Sequence, residues 1–203
     1  MAKTKNKIKH SLSWPRRMVV NLAIVLLCLV VLGCLVFTTG HDRIVELEYP
    51  QKYQEYVEYY AGKYDIDPLL LYAVIRTESN FNPEAQSNAG ARGLMQITEV
   101  TFDWIKSKIA PTEELTFDSL YDPETNIRFG TYFLSYCLLR YDGDVATAAA
   151  AYHSGWGTVD ELLDNSDYSQ NGVTLDEFPY TQMRLYVKKI TSNYSRYQEI
   201  YSA

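Results

Sequence analysis

At 203 residues the chain has room for one compact domain and a membrane segment. Charge is split by position: Lys3, Lys5, Lys7, Lys9, Arg16 and Arg17 stand in residues 1–17 without an acid, so against a total of −6 everything after Arg17 sums to −12. Such an acidic body argues against nucleic-acid binding, which rests largely on neutralising phosphates.

From Met18 to Phe37 there are twenty residues without a charge, and Asn21 is the only strongly polar one. As a helix that run is long enough to cross ~30 Å of hydrocarbon. We therefore expect residues 18–38 to be a transmembrane anchor, with the basic segment 1–17 cytoplasmic and everything after the anchor outside. The rival reading is a cleaved signal peptide, whose apolar region is normally shorter. Leu32-Gly33-Cys34 only faintly resembles a lipoprotein cleavage site. Residues 39–50 read as a linker ending at Pro50, and 51–203 as the outer domain.

Cys28 and Cys34 fall inside the anchor, which leaves Cys137 alone outside it, too few for an internal disulfide. The outer domain must be held by its core, with Cys137 as a small apolar member. His10, His41 and His153 are scattered without ligand spacing, so neither a metal site nor a cofactor is expected.

Along the outer domain, Tyr53, Tyr56, Val57, Tyr60 and Tyr64 recur at helical spacing. Asp67-Pro68 predicts a second helix start, with an oxygen-bearing cap and proline in the first turn, running through Leu69–Ser79 and stopping near Pro83. Residues 82–97, rich in Asn, Gly, Ser and Pro, predict an ordered loop or small hairpin. A helix over about Val100–Ile109 follows. Asp122-Pro123 opens another, with the stripe Ile127, Gly130, Leu134, Cys137, Leu138 and Tyr141, ended by Gly143. Asp144 caps the alanine-rich run Ala146–Ala151. Gly155, Trp156 and Gly157 read as a turn before a short helix at Val159–Leu163, and 164–179 as loop. Met183, Val187, Ile190, Tyr194, Tyr197 and Tyr201 stripe the last helix. No strand alternation is sustained, so the outer domain is expected to be all-α.

Glu78 is the residue that chemistry singles out. Leu71, Val74, Ile75 and Glu78 share a helix face, which puts a carboxyl group on or beside the buried side. It also stands in the last turn, where the helix dipole disfavours a negative charge. Burial and dipole both raise its pKa, as an acid that protonates a glycosidic oxygen near neutral pH requires. From spacing alone, a solvated helix-end glutamate remains open.

The surroundings are more specific. Glu78-Ser79, Phe81-Asn82-Pro83, Ala85, Ser87, Gly90-Ala91 and Gly93-Leu94-Met95-Gln96 occur in order, then Asn126-Ile127, Gly130 and Tyr132. Ala151-Tyr152-His153-Ser154-Gly155, Phe178-Pro179-Tyr180, Arg184, Tyr186 and Val187 complete the set. Over roughly residues 50–200 this order resembles the soluble lytic transglycosylase family. The resemblance implies a goose-lysozyme-like helical domain around a sugar groove, cutting the β-1,4 bond between N-acetylmuramic acid and N-acetylglucosamine in peptidoglycan glycan strands without adding water. By resemblance, Glu78 is the catalytic acid and then base, and Ser87, Gln96, Tyr152 and Met95 bind substrate or shape the loop beneath it. In this family only one carboxyl group is supplied; Glu84 and Glu99 are the nearest candidates here for a second, both in polar settings that favour solvation. His153 and Ser154 stand for the family's usual Asn and Ala, Thr98-Glu99 for Met-Pro, and Gln182-Met183 for Glu-Thr. A hydrolytic lysozyme of the same fold and an inactive wall-binding module remain the alternatives. The motifs name no protein partner.

Overall fold

The computed structural model describes residues 15–202. The chain divides after Glu48 into two units.

Among the described residues the first contains one helix, α1 (Arg16–Glu48). Its described apolar side chains, Met18 to Leu32 and Val36, are about half or more exposed. Helix continues through most of the expected linker, because nothing in 41–48 breaks it and Pro50 is the first residue that cannot extend it. Among the described residues no helix is both long and apolar enough to cross a membrane. Most of the basic segment, residues 1–14, lies outside the described residues.

The second unit, from Tyr49, is built of α2 (Gln54–Tyr64), α3 (Pro68–Ser79), α4 (Glu99–Ile109), a 3₁₀ turn (Phe117–Tyr121), α5 (Pro123–Arg140), α6 (Val145–Ser154), α7 (Trp156–Leu163) and α8 (Thr181–Tyr201). Aspartate caps start three of these helices. Asp67 accepts from the Leu69 N–H at 2.9 Å, Asp122 from Thr125 at 2.8 Å and Asp144 from Thr147 at 2.7 Å, each replacing a hydrogen bond the first turn lacks. The 3₁₀ turn has no counterpart in the sequence reading. The expected Gly155–Gly157 turn contracts to Gly155 (φ 83°), and α7 starts at once on Trp156.

Helix α8 lies along α3 and α6, and α5 packs on α2, α4 and α6. The core between them holds Leu71, Val74 and Ile75 of α3, Phe129, Leu134 and Cys137 of α5, and Met183, Val187 and Ile190 of α8, all buried. Each large side chain removed from water contributes roughly 1.5–3 kcal/mol. The small side chains Ala148–Ala151, also buried, let α6 approach its neighbours closely. That approach brings the end of α6 beside the end of α3.

Candidate active site

Helix α3 ends one residue after Glu78. Its continuation is stopped by two successive left-handed residues, Asn80 (φ 50°) and Phe81 (φ 63°). Asparagine tolerates that conformation; phenylalanine does not, and such a residue costs about 1–3 kcal/mol. Burial of the Phe81 ring beside Tyr72 (centroids 6.4 Å apart) offsets the strain. The sharp exit turns the chain back over α3 and leaves Glu78 at the mouth of a groove.

The loop that follows, residues 82–97, carries two isolated antiparallel bridges, Gln86 with Arg92 and Arg92 with Ile97. Four side chains fix it. Ser79 Oγ donates to the Leu94 carbonyl at 2.8 Å, and the Tyr152 hydroxyl donates to the Met95 carbonyl at 2.8 Å. Gln96 Nε2 donates to the Ala85 and Gly93 carbonyls at 3.1 and 2.9 Å. The fully buried Asn126 of α5 accepts from the Met95 N–H at 2.8 Å and donates to the carbonyls of Arg92 (3.0 Å) and Leu120 (2.8 Å). Gly93 (φ 74°) sits so close that an added Cβ would lie 2.1 Å from the Asn126 amide.

The groove has a volume of about 700 Å³, and Glu78, Ser87, Gln96, Phe133, Tyr152, His153 and Gln182 are among its lining residues. Of the expected site residues, Glu78, Ser87, Gln96 and Tyr152 are thus brought together. The side chain of Met95 is fully buried against Gly130 of α5 and is not among the groove's lining residues, while its carbonyl accepts from Tyr152, a placement suited to shaping the loop rather than to touching substrate. A thioether gains more from that apolar slot than from a wet groove. The amide of Gln96 is engaged by its own loop, and Ser87 Oγ accepts the Ala91 N–H at 3.0 Å, so both act at least as loop fasteners.

Tyr186 of α8 was not among the expected site residues. Its hydroxyl donates to Glu78 Oε1 at 2.6 Å. Tyr186 is nearly fully buried, and burial together with the neighbouring Glu78 holds its pKa far above the usual phenol range. Tyr152 is raised likewise. Both remain neutral donors. Glu78 itself is pushed up to about 7 by burial, against the opposing pull of the Tyr186 hydrogen bond. Its carboxyl group can therefore give and take a proton near neutral pH.

Glu78 is the single carboxyl group in the groove lining. Glu84 and Glu99 are exposed and line none of it. Among the described residues no three His, Cys, Asp or Glu side chains are grouped to hold a metal ion.

Comparison with known proteins follows the same lines. Residues 55–172 match the family model described as the transglycosylase SLT domain. The soluble lytic murein transglycosylase of Salmonella typhimurium is 32% identical over 147 residues, which is 72% of this chain and 23% of that protein. The membrane-bound lytic murein transglycosylase C of Yersinia pestis is 31% identical over 170 residues, 72% of this chain and 47% of that protein. The crystal structure of the 70 kDa soluble lytic transglycosylase of Escherichia coli superposes with a TM-score of 0.68 at 28% identity, covering 76% of this chain and 25% of that one. This chain thus spans about a quarter of the length of the first of these relatives. Its helices, its groove and the extent of the match make the conclusion plain: the chain belongs to the transglycosylase SLT domain family, with that family's lysozyme-like helical fold.

Proposed function

We propose that this chain is a peptidoglycan lytic transglycosylase in which Glu78 serves first as acid and then as base. The observation that carries the reading is the burial of Glu78, which pushes its carboxyl group up to about 7, in a groove that no second carboxylate lines among the described residues. A hydrolase of the usual kind needs two such groups flanking the bond, one of them to activate water or form a glycosyl-enzyme. An intramolecular attack needs only one, because the attacking hydroxyl is already tethered beside the anomeric carbon.

In this mechanism protonated Glu78 gives its proton to the glycosidic oxygen as the bond from that oxygen to C1 of N-acetylmuramic acid breaks. The substrate's own N-acetyl group supports the anomeric centre. The 6-hydroxyl then attacks C1, closing a 1,6-anhydro ring, and its proton returns to Glu78. The Tyr186 hydroxyl, 2.6 Å from Oε1, stabilises the carboxylate formed between the two transfers. Ser87, Gln96 and Tyr152 hold the sugar or the loop beneath it. The names of the relatives, lytic murein transglycosylases, agree with this chemistry. Its test is mass spectrometry of the fragments released from isolated peptidoglycan by the full-length chain: 1,6-anhydro ends support it, and reducing muramic acid ends identify a lysozyme instead.

We infer also that residues 18–38 anchor the chain in the cell membrane with residues 1–17 inside and the domain 51–203 outside. Support comes from the uncharged run behind a basic flank and from the exposed apolar side chains of α1. The side chains of Leu35 and of 37–44 are outside the described set, so the reading takes in more of the run than those that are described. One relative carries the description membrane-bound.

A further inference from the structure

His153 follows Tyr152 at the end of α6 and lines the groove with Glu78. Its imidazole lies flat on the ring of Tyr186, with centroids 4.5 Å apart and planes 14° from parallel. The hydroxyl of that same Tyr186 is the one held on Glu78. Three side chains from three helices thus form a chain of contacts: α6 braces α8, and α8 bonds α3. Tyr186 projects from α8 and is nearly buried, and the ring it packs against, His153, lines the groove.

We infer that His153 is a positioning residue for the reaction: its ring braces the face of Tyr186 and so keeps the Tyr186 hydroxyl on Glu78. The inference rests on the proposed role of Glu78 and goes beyond it, since the motifs supplied no function for a histidine here. Stacking needs a flat ring, and it does not need a charged one. Burial lowers the pKa of His153 below the ordinary imidazole value, which favours the neutral ring. A cationic ring beside Glu78 would hold the carboxylate ionised and weaken it as an acid. The titratable groups at hand are few. Glu78 comes from α3, Tyr152 and His153 from α6, and Tyr186 from α8, while Cys137 of α5 lies buried behind the two tyrosines.

The direction of the effect follows from the hydrogen bond. Tyr186 donates to Glu78 and favours its ionised form, lowering a pKa that burial has raised. If the bond is lost, the Glu78 pKa rises, and the basic limb of kcat/KM moves to higher pH. A hydrogen bond to a charged group corresponds to about one pH unit or somewhat more.

The experiment compares full-length wild type with His153→Asn, His153→Ala, His153→Phe, Tyr186→Phe and the double variant His153→Asn/Tyr186→Phe. Two readouts are taken: the pH dependence of kcat/KM on isolated peptidoglycan, and the titration of the Glu78 carboxyl carbon by NMR. His153→Asn and His153→Ala should raise the basic limb and the Glu78 titration by about one pH unit, as Tyr186→Phe does. His153→Phe, which keeps a flat ring on Tyr186, should leave the Glu78 titration where wild type has it. The double variant should shift no further than Tyr186→Phe alone. An unmoved or lowered Glu78 titration in both His153→Asn and His153→Ala, or a shift that adds to that of Tyr186→Phe, overturns the inference. A lowered titration would mean that His153 merely shields Glu78 from water. The NMR readout does not depend on turnover. Activity surviving in Glu78→Gln would sink the proposed function while leaving the bracing of Tyr186 separately tested.

Discussion

The thioether of Met95 occupies the space that any side chain at Gly130 would need: a Cβ added there would lie 2.4 Å from Sδ and 2.7 Å from the Met95 Cβ. Gly130 is in mid-α5, where glycine costs about 1 kcal/mol relative to alanine. The helix accepts that cost because the loop carrying Met95 seats against it, and Met95 in turn offers its carbonyl to Tyr152. Overpacking a filled core site costs about 1–3 kcal/mol, enough to outweigh the gain in helix propensity. Gly130→Ala is therefore expected to lower thermal stability by several degrees and to reduce cleavage at the same time, measured by calorimetry and by release from peptidoglycan. A rise in melting temperature would show that Met95 can yield at no cost.

Asn126 makes the stronger version of the same case. Three backbone groups of the loop and the 3₁₀ turn depend on its buried amide. Asn126→Ala orphans them in a site closed to water, at about 1–3 kcal/mol for each group that finds no new partner. We expect a loss of at least about 2 kcal/mol in denaturant unfolding and a large fall in kcat. A change below about 0.5 kcal/mol would mean that water replaces the amide.

Much of the architecture is legible in local signals. Asp67-Pro68, Asp122-Pro123 and Asp144 announce helix starts that the structure contains, and the spacing Leu71, Val74, Ile75 already puts Glu78 beside the core. What local signals do not carry is partnership at a distance. Tyr186 stands 108 residues from Glu78; the motif set includes it, and its position three after Met183 and four before Ile190 places it on the buried stripe, but neither signal names Glu78 as its partner. Asn126 belongs to the motif set as well, but its role shows only once the loop is folded onto it. For Met95 the motif leaves open whether the side chain meets substrate or shapes the loop, and burial of that side chain in the core favours the second.

The pKa of Glu78 links activity to stability. The folded carboxyl titrates at about 7, against an ordinary value of 4.5. Between those values the folded chain binds a proton that the unfolded chain has lost, so stability falls as pH rises through this window. The contribution is fully present below pH 4.5 and gone above pH 7. Glu78→Gln keeps the shape without the charge. It should match wild type in unfolding free energy near pH 4, exceed it above pH 7 by up to about 3 kcal/mol, and lose cleavage at every pH. Equal stability at pH 8 would show that Glu78 is better solvated than its surroundings imply.

Wild-type cleavage should follow the same group. As pH rises through about 7 the acid form of Glu78 disappears, and kcat/KM should fall tenfold for each further pH unit. A rate that keeps rising to pH 9 would remove Glu78 from the acid role.

The anchor is tested by fractionation of cells producing the full chain. Alkaline carbonate and high salt should leave it in the membrane pellet, since an apolar span does not depend on surface charge. Release into the supernatant, or a mature amino terminus after residue 34 or 37, would mark a cleaved signal instead.

The central claim concerns which hydroxyl attacks the anomeric carbon, the substrate's own or that of water, and heavy-oxygen water tests it most directly. Peptidoglycan digested by the full-length chain in that solvent should yield fragments ending in 1,6-anhydro-N-acetylmuramic acid, without solvent oxygen and resistant to borohydride. New ends that carry the label and are reduced by borohydride would mean that water attacks the anomeric carbon, and the single-carboxyl mechanism built on Glu78 would be wrong.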